Sequence, residues 1–363
     1  MKKSLYLNMH VLQTLMFASV NTGDDGRPKT AMINNALRGR WSSQAIKHAT
    51  RLKFEEMGID TGVRTRNFSK MVTKILTSEP MNWDTETTED IVKKWMKAAG
   101  IISDSADAKD TIGFFGKDQA TQFATVLNDN KDALDDKKSE KTITDALEKA
   151  INNNCTADIL LFGRMFASNS NLDKDASVQV AHALTVQDTE FDDDWFSACE
   201  EYPIEDENGQ VNKGSAHISS KSYISGTFYK YANLNLSESS SLVKGADVDT
   251  VVEQAIAFMK AFVLSVPTGG QNSSAANSLP DYICLTLSES PVTYEPVFNK
   301  PVTEENGKSI AEVAADKIED YRQKLSFTFG DDILAIGFRV GDRKLSEVED
   351  EIRVKITELL NNR

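Results

Sequence analysis

The sequence predicts an α+β fold carrying one large helical insertion. Two segments, 4–12 and 223–236, alternate apolar and polar residues as strands do. A third, 247–265, sets Val248, Val251, Val252, Ala255, Met259, Phe262 and Val263 on one helical stripe and stops before Pro267. Residues 80–155 read as several helices with acidic connectors and show no chemistry of their own.

In chain order, Leu5, Leu7, Met9 and Val11 share one face of the first segment, which predicts a half-buried strand. A loop rich in Gly, Asp, Pro and Asn follows over 21–35. Ser42 or Ser43 then caps a helix running to about Met57, because a serine oxygen accepts the free N–H groups of a first turn. On that helix Lys47, Arg51 and Glu55 fall at i, i+4 and i+8, so two cations share one stripe. Beyond the insertion, Ile159–Phe166 is apolar enough for a second strand, and 174–185 reads as a short helix. Residues 187–222 are acidic and irregular; their length marks them as either disordered or functional. The strand 223–236 puts Tyr223, Tyr229 and Tyr231 on one face and Phe228, Ala232, Leu234 and Leu236 on the other. A strand at 282–288, a helix at 308–325, a strand in DDILAIGFRV and a helix at 345–360 complete the chain. The order β–α, insertion, β–α, loop, β–α–β suits a sheet of the ferredoxin-like kind.

Composition narrows the class. With 363 residues, 40% hydrophobic and 26% charged, the chain can bury a substantial core as one large domain or two. Its longest apolar stretches, such as AIAFMKAFVL at 255–264, are too short and interrupted to span a bilayer, so no membrane partner is expected. Met1-Lys2-Lys3 leads into an alternating segment and not into the apolar block of a signal peptide. Cys155, Cys199 and Cys284 sit far apart and read as reduced thiols in a cytoplasmic protein. The four histidines, His10, His48, His182 and His217, have no metal-ligand spacing, and no nucleophile motif such as GxSxG is present. The expectation is a protein with no catalytic residue, metal or cofactor.

The net charge of −14 hides a strong segregation. From Arg27 to Phe54 there are seven Lys or Arg and no acid; from Val186 to Asn212 there are ten acids and no Lys or Arg. Distant charges are screened within about 10 Å at roughly 0.1 M salt, so the basic run can attract polyphosphate on its own. A solvated basic helix face explains the same run.

Four blocks in order resemble a known family: LNMHVL at 7–12; WSSQAIKHATR at 41–51; GRM at 163–165 with VAHALTV at 180–186 and DDDWFSA at 192–198; and GSAHISSKSYISGTFYKYANLNL at 214–236. Together they look like the CasC-type backbone subunit of type I-E CRISPR Cascade, which repeats along a guide RNA. The match runs to about residue 290 and is weak beyond it. The resemblance implies a right-hand architecture. An RRM-like palm would comprise 1–59, 156–186 and 223–363, helical fingers 60–155, and a thumb hairpin 187–222. The implied partners are crRNA, the target DNA strand, neighbouring copies joined head to tail, and the CasA, CasB, CasD and CasE subunits.

It also implies site residues. Lys29, Ser42, Gln44 and Lys47 match backbone-holding positions, and Arg51 lies one turn beyond Lys47. The family often has an Arg near the start of the 21–35 loop; here Thr22 stands there, with Arg27 as a substitute. Gly163, Arg164 and Met165 match the palm motif whose Met helps hold a displaced nucleotide, although a Met by itself reads as core. Trp195 and Phe196 lie amid acids, where exposed aromatics need a contact; Phe196, Ser197 and Ile218 match thumb positions that meet the duplex. Gln271 and Ser273 belong to a Gly-rich link, PTGGQNSSAA, suited to an oxyanion; the family usually has Lys before the Gln, where this chain has Gly270. Two alternatives stay open: metal-dependent cleavage of target RNA of the type III kind through Asp24 or Asp25, and a generic single-stranded RNA binder.

Overall fold

The computed structural model describes residues 4–102, 112–166, 168–199 and 215–362. Strand β1 (Tyr6–Ala18) is followed by the hairpin β2 (Thr30–Ile33) and β3 (Ala36–Trp41), and by helix α1 (Ser43–Glu56). Next come β4 (Val63–Thr65), α2 (Phe68–Thr77), α3 (Thr85–Ala98), β5 (Gly113–Phe115), α4 (Lys117–Asp129), α5 (Glu140–Asn152) and α6 (Ala157–Phe162). The chain continues through β6 (Val178–Val180), β7 (Ala183–Thr185), β8 (Asp192–Cys199), β9 (Ser215–Asn235) and α7 (Val248–Leu264). It closes with α8 (Gln271–Ser274), β10 (Tyr282–Ser288), α9 (Ile310–Phe329), β11 (Leu334–Arg339) and α10 (Leu345–Asn361).

The result is a mixed α/β fold on an antiparallel sheet ordered β11-β10-β1-β9-β7-β3-β2, with β6 and β8 also on β9. β1 is central. It pairs with β10 from Tyr6↔Ser288 to Leu12↔Tyr282, and with β9 from Tyr6↔Asn235 onward. Leu7, Met9 and Val11 pack into a core shared with α1, α7 and α10. The opposite face is not solvated, as alternation predicts, but covered by α9 and the 292–302 segment. Its polar residues are therefore bonded: the Tyr231 hydroxyl donates to Asn8 Oδ1 at 3.0 Å, and Asn8 Nδ2 donates to Ser288 Oγ at 2.9 Å. Residues of α2–α5 and β5, with Phe166 and Leu172, build a separate core around Phe68, Trp95, Phe115 and Phe123.

Three expectations need correction. Ile159–Phe166 is not a strand: helix α6 ends at Phe162, and Gly163 takes φ 78° as its C-cap. A short apolar run does not distinguish the two periods. Residues 174–185 are not a helix; they form β6 and β7, too short to show alternation, and are held by their pairing to β9. His182 thus lies between two strands. The 187–222 segment is not irregular throughout: β8 pairs with the first half of β9, from Asp192↔Tyr223 to Cys199↔Ser215. The residues between them, 200–214, lie outside the described residues. Two buried devices hold the helices: the Ser42 side chain accepts from Ala45 N–H as the cap of α1, and Lys230 Nζ donates to Phe262, Val263 and Ser265 carbonyls at the end of α7.

Candidate nucleic-acid interface

The fold sorts the seven cations of the acid-free run. Arg38 is 1% exposed and donates to the Thr185 and Phe298 carbonyls, so it is structural. Arg27 pairs with Asp193 at 3.6 Å, and Lys53 with Glu56 at 2.6 Å. Arg51 donates to Asp158 Oδ2 at 2.7 Å and to the Gly62 carbonyl at 2.5 Å, tying α1 to α6. Arg51, on the Lys47 stripe, is thus paired with a buried carboxylate. Lys29, Arg40 and Lys47 are half-buried and have no carboxylate partner among the described residues.

These three surround the first turns of α1. The Ser42 N–H donates to Asn21 Oδ1 at 2.8 Å, and Ser43 Oγ donates to the Val180 carbonyl, so the SSQ turn is pinned from both sides. Gln44 is exposed beyond it. Arg40 Nη1 lies 3.5 Å from His182 Nδ1. Partial burial, then Arg40 and Lys29, push the His182 pKa down, which places the three groups in one electrostatic neighbourhood. Burial and then Arg64 do the same to Lys47, which lies 6.0 Å over the Phe162 ring. Arg40 and His182 were invisible as neighbours because 174–185 reads as helix.

The GRM motif divides. A Cβ on Gly163 would meet the Lys174 carbonyl oxygen at 2.9 Å and Ala176 N at 3.0 Å, so glycine is required there for packing. Arg164 is 5% exposed and donates to the Leu172 and Ile151 carbonyls and to Gln119 Oε1. Its side-chain bonds all run to residues of the helical lobe. Met165 is 80% exposed and alone presents itself outward.

On the hairpin, Trp195 is 72%, Phe196 48% and Ile218 68% exposed. The register decides which of them act together. Trp195 opposes Ser220 and Ser197 opposes Ile218, so Trp195, Ser197 and Ile218 share one face. Phe196 opposes Ser219 and stands with His217 on the other, their ring centroids 6.5 Å apart. Phe196 and Ile218, matched together to positions that meet the duplex, thus stand on opposite faces of the hairpin. At the hairpin base Ser222 Oγ of β9 donates to Asp193 of β8, and Phe17 of β1 stacks on Tyr223 at 4.3 Å.

The Gly-rich link closes on itself. Gln271 Nε2 donates to the Ala276 carbonyl at 3.2 Å, while Ser273 Oγ accepts from Lys221 Nζ at 2.7 Å. The Lys221 ammonium lies 3.3 Å from where a Cβ on Gly270 would stand, so a cation reaches this loop from β9. Asp25 Oδ1 accepts the Arg27 N–H and serves the turn that carries Asp24. Among the described residues no three His, Cys, Asp or Glu side chains gather as metal ligands, and no helix is long and apolar enough to cross a membrane.

Comparison with known proteins adds an independent line. The profile of a family described as "CT1975-like protein" matches residues 7–362. The chain is similar to a chain of a solved "CRISPR RNA-guided surveillance complex, pre-nicking", with 25% identity over 97% of this chain and 100% of that one, and a TM-score of 0.81. A chain of a second "CRISPR RNA-guided surveillance complex" shares the fold at 21% identity, covering 96% of this chain and 99% of that one, with a TM-score of 0.69. No curated protein matches.

Proposed function

Because this chain belongs to the CT1975-like family, we infer that it is the crRNA-binding backbone subunit of an RNA-guided CRISPR surveillance complex. The observation that carries the reading is the likeness, along nearly the whole chain, to a chain of such a complex. The site geometry supports it. Lys29, Arg40 and Lys47, each half-buried, lie about a capped helix start without a carboxylate partner among the described residues, as a sequence-independent grip on a phosphate backbone needs.

Several finer readings belong to this proposal. The order β10-β1-β9-β7, with α1 and α7 on one face, supports an RRM-like palm. The separate core of α2–α5 supports the fingers, and the β8–β9 hairpin supports the thumb. The subunit is of the type I-E kind, cytoplasmic and non-catalytic. Copies join head to tail along the RNA, in an interface that does not close and so forms a filament. CasA, CasB, CasD and CasE complete the complex, and base pairing with the guide reads the target DNA strand. Cleavage of the type III kind is not favoured.

The test is co-expression with a CRISPR array. The complex is expected to purify with RNA of uniform length. Lys47→Glu should weaken RNA binding for every sequence and reduce the log–log salt slope by roughly 0.7. RNA of mixed length would point to a generic binder, and an unchanged slope would move the backbone site away from α1.

A further inference from the structure

The end of β1 carries an aromatic residue that none of the motifs above includes. β1 keeps register with β9 to Leu15↔Gly226 and resumes it at Ala18↔Ile224, so one extra residue is bulged out between them. Phe17 sits in that bulge at φ 46°, a left-handed conformation that is costly for a bulky side chain. Its surroundings hold it there. The Phe17 N–H donates to Ser225 Oγ at 2.9 Å, the Ser19 N–H to Ser274 Oγ at 3.3 Å, and the Gly269 N–H to the Val20 carbonyl at 3.0 Å. The Phe17 ring lies over the buried Tyr223, with centroids 4.3 Å and planes 15° apart. Phe17 itself is 46% exposed: Tyr223 covers one side, and the rest faces solvent, as does Met16 before it.

A cation stands beside this stack. Lys221 Nζ is 5.3 Å from the Tyr223 ring centroid. Asp194 opposes Lys221 across the hairpin, yet the ammonium bonds Ser273 Oγ at 2.7 Å instead and makes no ion pair among the described residues. Tyr223, Lys221 and Ser219 alternate onto one face of β9, and Phe196 opposes Ser219. Phe17 therefore closes the sheet end of the hairpin face that carries Phe196, with Lys221 between them, over about 13 Å of strand. Asp192 and Asp194 line the β8 side of that face, so an anion is favoured on the Ser273 side. Two exposed apolar side chains on a strained bulge, next to a cation, suit one base and its phosphate better than a protein surface, which needs a wider apolar patch.

We propose that Phe17 is a stacking platform for one nucleobase of single-stranded RNA, received on the side of the ring turned away from Tyr223, with the adjoining phosphate at Lys221 and Ser273. Tyr223 is a positioning residue that backs the platform. Stacking on a π-face accepts any base, as a subunit that holds guides of every sequence requires. This deepens the RNA-binding reading above and rests on it.

The experiment measures the affinity of the full-length chain, against salt concentration, for a fluorescent single-stranded RNA and for the same strand made abasic throughout. Phe17→Ala should weaken binding to the normal strand roughly tenfold and keep the log–log salt slope, because a stacked base and no charge is lost. Phe17→Leu, which keeps an apolar cover on Tyr223, should lose nearly as much, and Phe17→Trp should bind at least as tightly as wild type. On the abasic strand all three should match wild type. Lys221→Gln should reduce the slope by about 0.7 on both strands. If Phe17→Ala does not fold, the Leu and Trp variants carry the comparison. An equal loss on the abasic strand overturns the platform and leaves Phe17 as a lid on Tyr223. Unchanged affinity of the Phe17 variants, with fewer copies in the co-purified complex, also overturns it and assigns the surface to a protein neighbour. Wild-type binding that no Phe17 variant alters refutes the platform alone; a wild-type chain that binds neither strand refutes the function with it.

Discussion

His10 gives the sharpest physical test of the sheet domain. It lies at the centre of β1 with 0% exposure, its ring stacked 3.9 Å from Tyr294 and 5.1 Å from Tyr231. Nδ1 lies 2.8 Å from the Tyr229 hydroxyl, while Nε2 has no partner. Burial pushes its pKa from 6.5 down to about 3. Above pH 6.5 both folded and unfolded chains hold it neutral, so it contributes nothing to pH dependence. Between about 6.5 and about 3 the unfolded chain takes up a proton that the folded chain refuses, and stability falls as pH falls. The slope is about 1.4 kcal/mol per unit, or roughly 5 kcal/mol over the whole window. His10→Gln keeps a polar atom for Tyr229 and removes the titration. Urea melts at about pH 7 and about pH 4.5 should show wild type losing roughly 3 kcal/mol more than the variant. Histidine NMR should show the His10 ring silent between about pH 6.5 and about pH 4.5 in the folded chain. Parallel stability profiles, or a His10 midpoint near its unperturbed value in the folded protein, would refute the reasoning.

Three further outcomes follow from named contacts. Lys230→Met leaves the Phe262, Val263 and Ser265 carbonyls at the end of α7 without their donor, and should lower unfolding stability by about 3 kcal/mol in denaturant melts. Trp195→Ala and Phe196→Ala act on opposite hairpin faces; chemical probing of bound guide RNA should show a periodic hyper-reactive nucleotide that one substitution blunts and the other spares, and equal effects would contradict the register. Incubation of the assembled complex with Mg²⁺ and matched RNA or DNA, without a partner nuclease, should leave both uncut; cleavage abolished by Asp24→Ala or Asp25→Ala would overturn the non-catalytic reading.

Sequence legibility followed the length of each pattern. Helix α7 and strands β9 and β10 were readable because each sustains one period for several turns or residues. Even there, local pattern missed how far β9 extends: its first half is polar, with Ser215, Ser219, Ser220 and Ser222, and only pairing to β8 makes it a strand. Helix α6 and strands β6 and β7 were misread for the complementary reason. Each is six residues or fewer, and tertiary partners decide its conformation. The two-sided burial of β1 was hidden because Asn8 and His10 look like solvent-facing residues, whereas they bond to Ser288, Tyr231 and Tyr229 beneath α9.

The site was legible as composition and illegible as geometry. The acid-free run announced positive charge, but which cations stay available depends on acids far away in sequence. Asp158 takes Arg51 across 107 positions, and Asp193 takes Arg27 from the base of the hairpin. Neither partner could be assigned without the fold, and the helix spacing that joined Lys47 to Arg51 was correct about the stripe and silent about the bond. The same holds at Gly270. The resemblance implied a lysine where this chain has Gly270, whereas the structure brings the Lys221 ammonium to that loop along another strand. For a binder of a repeating polyanion this is the expected logic. What must be preserved is the position of a charge relative to the phosphate, and any element that reaches the spot can supply it.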